Sequence, residues 1–305
     1  MCIRDSYMAG EPLKETSHYE DARDCALKVM GLGFHELNPD FQQIFKNYAQ
    51  DLYDIKESIW EVEFYGNGSG LYATLGGYVG GNNGIRNSTD TNNSIGYTYD
   101  YINATQYAYK VYKDGDLRRD FTIAPFKYNW GTKVEEGQEV PKTYWKSTEL
   151  FNRNCGKFRR EFETLLPKHR SYTPTNFPLL RYADVLLMYA EAKTMLGDID
   201  QSVFDILDAV RDRAGIAHVA HTTDPKAMMK IIQDERKWEF AFEGLRYFDI
   251  RRWGIAADVI NSITSDELYN FGSHKVFVAP ANYLWPLPQE ATDANPNLLP
   301  NNEGY

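Results

Sequence analysis

Residues 182–215, YADVLLMYAEAKTMLGDIDQSVFDILDAVRDRAG, decide the fold. Apolar residues recur at helical spacing on both sides of Gly197 and Asp198, two residues that are typical of a turn. The pattern predicts one helix through Leu196 and a second helix that ends at Ala214. We therefore expect an all-α architecture in which helices pack in pairs.

A partial copy of this hairpin lies near the start of the chain. In residues 19–30, YEDARDCALKVM, the residues Ala22, Ala26 and Val29 share one helical face. The corresponding face of the hairpin carries Val203, Leu207 and Val210. The layout matches a tetratricopeptide-type repeat of about 34 residues, and the first copy lacks its leading helix. We expect that the natural chain began further upstream, with additional N-terminal helices.

A third helix is predicted after the hairpin. Asp224 is a good N-cap because its carboxylate accepts unpaired backbone N–H groups, and Pro225 suits the first helical position because its missing N–H has no partner to lose. The periodic pattern continues to about Phe242 and stops at Gly244. The sequence thus predicts a long helix followed by a sharp break.

The stretch between Phe64 and Tyr172 has a different composition. Glycine, asparagine, serine, threonine and tyrosine dominate it, as in YGNGSGLYATLGGYVGGNNGIRNSTDTNNS. Such a mixture is typical of loops that carry aromatic side chains on a scaffold, and long loops are usually either functional or disordered. We expect a loop-rich, ligand-binding insertion here, with an unstructured surface insertion as the alternative.

Composition excludes several classes of partner. The formal net charge is −10, which repels the phosphates of nucleic acids and of anionic lipids. No apolar run reaches the ~18 residues that span a bilayer. The widely spaced Cys2, Cys25 and Cys155 give no metal-ligand spacing and no disulfide framework. We therefore expect no nucleic-acid partner, no metal and no cofactor.

Four segments resemble the SusD/RagB family in order and separation. The first comprises YEDARDCALKVM, LNPDFQQIF and SIWEVEF, and the second is KDGDLRRDFTI at 113–123. The third joins FPLLRYADVLLMYAEAKTMLGD at 177–198 to DAVRDRAG, and the fourth joins DERKWEFAFEGLRYFDIRRWG at 234–254 to LWPLPQEATDANPNLLPNNEGY at the end. Together they cover nearly the whole chain. The sequence therefore looks like the C-terminal two-thirds of such a protein.

The resemblance implies a domain organisation. Residues 1–16 are expected to be a non-native or disordered start, and 17–50 a remnant of the N-terminal SusD-like helical repeat region. Residues 51–305 are expected to form the C-terminal SusD/RagB domain, with the ligand-binding insertion at about 64–172. The implied fold is a tetratricopeptide-like α-α superhelix with long irregular loop insertions.

The resemblance also implies a function. Proteins of this kind capture oligosaccharide or polysaccharide at the extracellular face of the outer membrane and deliver it to a SusC-like TonB-dependent transporter. Their membrane contact is an N-terminal lipid anchor, which we expect to lie upstream of this fragment. The alternatives are a peptide-binding RagB-like uptake protein, a glycoside hydrolase and a helical-repeat interaction scaffold.

The most enzyme-like feature of the sequence is a row of carboxylates. Glu235, Glu239 and Glu243 follow one another at a spacing of four residues, beside a Gly244 break. Carboxylate pairs can act as general acid and base, but a glycosidase places them across the scissile bond rather than along one helix. We therefore expect structural ion pairs and no catalytic residue. The aromatic residues expected to pack around the break are Trp238, Phe240, Phe242, Tyr247, Phe248 and Trp253.

A glycan site combines aromatic rings with amides and charged groups, because sugars offer apolar C–H faces and hydroxyl groups. The stretch between Phe64 and Trp145 contains this mixture. The ligand-binding residues predicted in it are Tyr72, Tyr78, Asn82, Tyr97, Tyr99, Trp130 and Trp145. Further candidates nearby are Asn83, Arg86, Asp100 and Tyr101.

Overall fold

The hairpin lies at the centre of the structure. In a computed structural model, α6 (Tyr182–Met195) and α7 (Gln201–Ala214) pack against each other, as predicted. The side chain of Asp200 caps α7 by accepting a hydrogen bond from the backbone of Ser202, and Gly215 ends it at a φ of 71°. The residues that the structure describes are 18–66, 75–88, 95–129, 139–264 and 276–305.

Helix α6 is buried nearly all round because neighbours cover it on several sides. It packs against α1 (Tyr19–Gly31), against α7 and against α8 (Pro225–Glu239). Ala22 and Ala26 of α1 are fully buried in the same core as Val203 and Leu207 of the hairpin. The structure is therefore mostly helical, as the pattern predicts, with the hairpin as its core.

The other described helices are short or peripheral. Helix α2 (Phe41–Gln50) packs its aromatic face against α5 (Leu117–Thr122), and α9 (Arg246–Arg252) follows the break after α8. Three short α-helices lie among the described residues of 64–172, so that part of the stretch is less irregular than its composition suggests. The remaining helices are α3 (Val79–Asn83), α4 (Gln106–Lys110), α5 (Leu117–Thr122), α10 (Ala256–Asn261) and α11 (Gln289–Ala294).

Short antiparallel strand pairs tie the loops to the helices. Strand β1 (Ser58–Val62) pairs with β6 (Phe177–Arg181), which leads directly into α6. This pairing brings residues on both sides of the loop-rich stretch together at the core. The other pairs are β2 (Asn103–Ala104) with β5 (Arg153–Asn154), and β3 (Phe126–Tyr128) with β4 (Lys142–Tyr144).

Helix α8 begins as predicted but ends earlier than predicted. Asp224 accepts hydrogen bonds from the backbone N–H groups of Lys226 and Ala227, and Pro225 is the first helical residue. The helix ends at Glu239 rather than near Phe242: Phe240 already leaves the helical conformation, with φ −106° and ψ 16°, and Phe242 has a left-handed φ of 67°. The ammonium of Lys157 donates a hydrogen bond to the Glu239 carbonyl at 2.7 Å, which stabilises this end of the helix.

The structure describes two of the three cysteines. Within the described residues, Cys25 and Cys155 form no disulfide, and burial raises the pKa of Cys155 to about 11. Cys2 and the predicted start at 1–16 lie outside the described residues. Within the described residues, the helices are all too short or too polar to cross a bilayer.

Candidate functional site

Two regions of the structure contain most of the candidate residues: a buried cluster of charged side chains and a surface that carries several tyrosines. The first region is buried between the hairpin, α5 and α8, and we call it the buried charge network. Five basic and five acidic side chains form it, each at most 5% exposed. The members are Glu57, Asp116, Arg118, Lys157, Arg181, Arg211, Arg213, Glu235, Glu239 and Glu243.

Arg118 connects the loop-rich stretch to α8. Its Nη1 donates to Glu235 Oε1 at 2.7 Å and to Glu239 Oε2 at 3.1 Å, and its Nη2 donates to Asp116 Oδ2 at 2.8 Å. A buried guanidinium needs such partners because its desolvation is costly. Arg118 and Asp116 both come from the KDGDLRRDFTI segment, so this family-like motif belongs to the core.

Arg181 is the second centre of the network. It donates to Glu57 Oε1 at 2.9 Å, to Glu239 Oε1 at 3.1 Å and to Glu243 Oε2 at 2.8 Å. Lys157 Nζ donates to Glu243 Oε1 at 2.6 Å and to the Glu239 carbonyl at 2.7 Å. Because Arg181 joins β6 to α6, these ion pairs hold the start of α6 next to the end of α8.

The pKa of Glu239 depends on two opposing effects, burial and the nearby guanidiniums. Burial alone would raise its pKa, but the guanidiniums of Arg213, Arg181 and Arg118 outweigh burial and lower the pKa below its usual value. Glu239 is therefore a charged ion-pair partner at neutral pH. The expected ion pairs are confirmed, although their cations come from distant segments and not from the arginines that flank Gly244.

The arginines that flank Gly244 belong partly to a second buried cluster. Arg236 donates to Asp184 Oδ1 at 2.7 Å and to Asp249 Oδ2 at 2.9 Å, and Arg252 pairs with Glu191 and Asp249. This cluster fastens α9 to α6 and α8. The acidic and basic residues near the break therefore hold helices together.

Aromatic packing around Gly244 is only partly as predicted. Trp238 and Phe240 are buried, whereas Tyr247 and Phe248 are 43% and 48% exposed. Both rings lie on α9, which follows the break, and are partly open to solvent. Phe248 lines a cavity of about 370 Å³ beside Gly244.

The second region carries the predicted ligand-binding residues, and we call it the tyrosine surface. Helix α3 lies beside residues 97–101, since the backbone N–H groups of Tyr99 and Tyr101 donate to the carbonyls of Gly81 and Asn82 at 2.7 and 2.8 Å. The structure thus brings two separate stretches of the sequence together. The tyrosine surface consists of Tyr78, Asn82, Tyr97, Tyr99, Tyr101, His169, Arg170 and Tyr172.

Three tyrosines form a row on this surface. The ring centroids of Tyr97 and Tyr99 are 4.8 Å apart, and those of Tyr99 and Tyr101 are 5.2 Å apart at an interplanar angle of 16°. Tyr101 is 68% exposed. Since Tyr99 covers one face of Tyr101, the open face of Tyr101 points to solvent and can accept an apolar sugar face.

The row depends on a glycine that precedes it. Gly96 has a φ of 82°, and a Cβ added there would lie 2.8 Å from Arg160 Cζ. Arg160 in turn donates through Nη1 to the carbonyl of Tyr97 at 2.6 Å and forms a buried ion pair with Glu163. A glycine at this position therefore lets a buried guanidinium fix the start of the row.

Sequence reasoning missed the partners that residues 169–172 supply. The Tyr172 ring lies 5.2 Å from the Tyr78 ring and 5.0 Å from the His169 ring, and the Arg170 guanidinium lies 4.6 Å from the Tyr97 ring centroid. The backbone N–H groups of Ser171 and Tyr172 both donate to His169 Nδ1. The only sequence signal is the polar, aromatic string KHRSY just before β6.

Polar groups border the row. The side chain of Arg86 is half exposed and lies 3.9 Å from Asp100 Oδ1. Asp100 has a left-handed φ of 54°, and its Oδ2 accepts from Asn154 Nδ2 at 3.4 Å. Burial raises the pKa of Asp100, while Arg86 opposes that shift.

Among the other predicted ligand-binding residues, Trp145 is described and lies apart from the tyrosine surface. Trp145 directly follows β4, where the Lys127 ammonium lies 4.5 Å from the ring centroid, and its indole N–H is buried with no hydrogen-bond partner in the described part of the chain. Tyr72 and Trp130 lie outside the described residues. The tyrosine surface therefore unites four of the seven predicted residues, namely Tyr78, Asn82, Tyr97 and Tyr99.

The sequence and the fold both have clear relatives. A sequence model described as the SusD family matches residues 56–305. SusD-like protein P2 of Formosa agariphila is 29% identical over 283 residues, which are 88% of this chain and 52% of that protein. The chain thus spans about half the length of this curated relative.

Solved structures show the same fold. A SusD homolog from Bacteroides thetaiotaomicron has a TM-score of 0.79 and 24% identity, over 95% of this chain and 60% of that one. Surface glycan-binding protein A from Bacteroides thetaiotaomicron, in complex with laminarihexaose, has a TM-score of 0.67 and 19% identity, over 99% of this chain and 61% of that one. With the family match over residues 56–305, these findings show that the chain belongs to the SusD family.

Proposed function

We propose that the chain binds an oligosaccharide on the tyrosine surface without chemical conversion. The observation that carries this proposal is the row of Tyr97, Tyr99 and Tyr101, which ends in a ring that is 68% exposed. Stacking on an aromatic ring contributes about 0.5 to 1.5 kcal/mol beyond the buried area. A few such contacts give the weak, reversible binding that capture and release require.

The surroundings of the row support a sugar ligand. Asn82, whose main-chain carbonyl accepts from the Tyr101 N–H, and Arg86, which lies near Asp100, are polar residues next to the row, and such groups can form hydrogen bonds with sugar hydroxyls. Arg160 fixes the start of the row through its hydrogen bond to the Tyr97 carbonyl, and Gly96 leaves the space that Arg160 needs. The site then consists of loops of the 64–172 insertion on a helical scaffold.

Structural relatives support the same class of ligand. One is described as a laminarin-binding SusD-like protein, and surface glycan-binding protein A was solved with laminarihexaose. Both are less than 25% identical to this chain, so they support glycan binding in general and do not identify the glycan.

We further propose that the complete protein is anchored by lipid to the extracellular face of the outer membrane and delivers its glycan to a SusC-like TonB-dependent transporter. The basis is family membership over residues 56–305. Co-purification of the full-length protein with the transporter from solubilised outer membranes would support this part. Quantitative recovery of the protein without transporter would contradict it.

A glycan panel tests the binding function. The chain is titrated by calorimetry with neutral, uronic-acid and sulfated oligosaccharides and with a mixture of peptides, and each glycan mixture is then analysed for cleavage products. We expect saturable binding of at least one glycan, loss of affinity on Tyr101→Ala, and no products. Reproducible cleavage would favour a glycoside hydrolase, whereas binding of peptides alone would favour a RagB-like uptake protein.

A further inference from the structure

A groove beside strand β1 combines exposed apolar side chains with acidic ones. Tyr53, Ile55 and Trp60 are 61%, 56% and 50% exposed, although all three are large and apolar. They border a groove of about 200 Å³, which we call the β1 groove. Exposed apolar side chains that cluster in this way often mark an interaction site. The side chains that line the β1 groove include Tyr53, Asp54, Ile55, Trp60, Glu61 and Glu63.

The carboxylates of the β1 groove accept hydrogen bonds from neutral donors. Glu61 accepts from Asn176 Nδ2 at 2.9 Å and from the Ser58 hydroxyl. Asp54 accepts from Asn38 Nδ2 at 2.7 Å. Amides and hydroxyls position a carboxylate without neutralising its charge, so the groove stays acidic.

Within the described residues, no basic side chain forms an ion pair with Asp54, Glu61 or Glu63. Lys56, the basic residue nearest to them in sequence, lies 3.6 Å from Glu36 Oε1. Burial raises the pKa of Glu61, and the neighbouring Glu63 raises it further, as expected for carboxylates without a counter-ion. The stretch 67–74, NGSGLYAT, lies outside the described residues, and its sequence contains no charged residue.

Strand β1 has only one strand neighbour in the part of the chain that the structure describes. It pairs with β6 in a two-stranded antiparallel sheet. In such a pair, the main-chain N–H and C=O groups of alternate residues point away from the partner strand. The outer edge of β1 can therefore accept a further extended chain beside Trp60.

We propose that the β1 groove binds an extended, basic segment of another protein, which adds to β1 as a strand and places an arginine or lysine side chain against Trp60 and Glu63. Main-chain hydrogen bonds to β1 would supply affinity, and every second side chain would reach the groove. A guanidinium or ammonium group is attracted both by an aromatic face and by a carboxylate, so this groove selects basic side chains.

Charge favours this occupant over two others. A second copy of the chain would bring more negative charge, because the formal net charge is −10. A neutral glycan could stack on Trp60 but would leave the acidic side chains without a counter-ion. The inference is independent of the proposed glycan binding, because the β1 groove and the tyrosine surface share no residue.

Peptides of alternating sequence test this preference. Heptapeptides in which valine alternates with arginine, with serine or with glutamate are titrated into the full chain by calorimetry, at low and at physiological salt. We expect the arginine peptide to bind about ten-fold more tightly than the serine peptide, with an affinity that falls as salt rises, and the glutamate peptide not to bind. Equal binding of the arginine and serine peptides, or no binding of either, would overturn the proposal.

Variants with matched controls assign the binding to the β1 groove. Trp60→Ala and Glu63→Gln should each weaken binding of the arginine peptide about five-fold, with unchanged melting temperatures. Trp285→Ala and Glu290→Gln remove the same groups from exposed positions that do not line the groove, and they should change the affinity less than about two-fold. Equal losses in variants and controls would indicate general attraction to an acidic surface and would overturn the proposal.

Other occupants of the groove give different results. The full-length protein should bind the arginine peptide as the chain does. If it does not, an upstream segment of the complete protein covers the groove, and the proposal is overturned. Binding of laminarihexaose that Trp60→Ala weakens would assign the groove to glycan, and self-association that Trp60→Ala abolishes would assign it to a second copy. Either result would also contradict the proposal.

Discussion

The buried charge network contains clustered charged residues, and the tyrosine surface contains exposed aromatic residues. Both kinds of residue often indicate a functional site, but the charges are buried and the rings are exposed. The network places ten ionisable side chains in the core, where each pairs with others. The tyrosine surface leaves Tyr78 and Tyr101 more than half exposed. In this fold, clustered charges hold helices together, and the exposed rings are free to contact a ligand.

The segments that resemble the SusD family supply the buried charge network. Arg118, Arg181 and Glu239 come from three separate segments that resemble the family, and all three meet in the network. Those segments therefore encode the scaffold. The tyrosine surface comes from the stretches between them, and if it binds the glycan as we propose, ligand preference can change there without loss of the fold.

The largest expected effect is loss of a network centre. Arg181→Met removes the shared cation from Glu57, Glu239 and Glu243 and leaves buried carboxylates short of a partner. We expect a loss of about 3 to 5 kcal/mol in the free energy of unfolding, measured by urea denaturation. Lys230→Met is the matched control and should cost less than about 0.5 kcal/mol. Similar stability of the two variants would show that the network is not structural.

The next effect tests the ionisation of Glu239. Glu239→Gln should cost roughly 3 kcal/mol at pH 7, because Arg118, Arg181 and Arg213 lose their common anion. The folded pKa of Glu239 lies below the unfolded value, so its ion pairs contribute fully above the unfolded pKa, and this contribution is lost as pH falls toward the folded pKa. The difference from wild type should therefore shrink below about pH 4. A difference that stays constant from pH 7 to pH 3 would contradict this assignment.

A smaller effect concerns the glycine that precedes the row of tyrosines. Gly96→Ala places a Cβ against the Arg160 guanidinium at a φ of 82°, which should cost about 1 to 2 kcal/mol of stability and displace Tyr97. We expect glycan affinity to fall although position 96 carries no ring. Unfolding and titration of the same variant would measure both. Wild-type affinity would show that the row does not need this support.

The smallest expected effect concerns Trp145. Lys127 lies against one face of the Trp145 ring, and the residue belongs to the β3–β4 hairpin rather than to the tyrosine surface. Trp145→Phe should therefore change glycan affinity less than about two-fold, since few residues at a binding site carry most of the energy. A ten-fold loss in calorimetry would extend the site to this hairpin.

The helical scaffold could be predicted because its signals are local. The hairpin at 182–215 repeats apolar residues at helical spacing, and Asp224 and Pro225 mark a helix start within two positions. The partners in the network could not be predicted, because Arg118 and Glu235 are 117 residues apart. The early end of α8 has the same origin, since Lys157 reaches the Glu239 carbonyl from a distant loop.

The tyrosine surface could be predicted only as a set of candidates. Composition indicates that rings and amides are mixed between Phe64 and Trp145, and it predicts Tyr97 and Tyr99 as ligand-binding residues. It gives no signal that Tyr172 and Arg170 join them, because a backbone bridge between Gly77 and Thr173 creates that contact. Pairing at long range selects which tyrosines form one surface.

One measurement tests most directly whether the buried charge network supplies stability and the tyrosine surface supplies ligand binding. The double variant Tyr99→Ala with Tyr101→Ala and the single variant Glu243→Gln are titrated with the tightest glycan of the panel, and each is also unfolded in urea. We expect the double variant to lose ten-fold or more in affinity with nearly wild-type stability. Glu243→Gln should lose stability and keep wild-type affinity in its folded fraction. The reverse result, in which Glu243→Gln abolishes binding at wild-type stability and the double variant binds normally, would contradict the account.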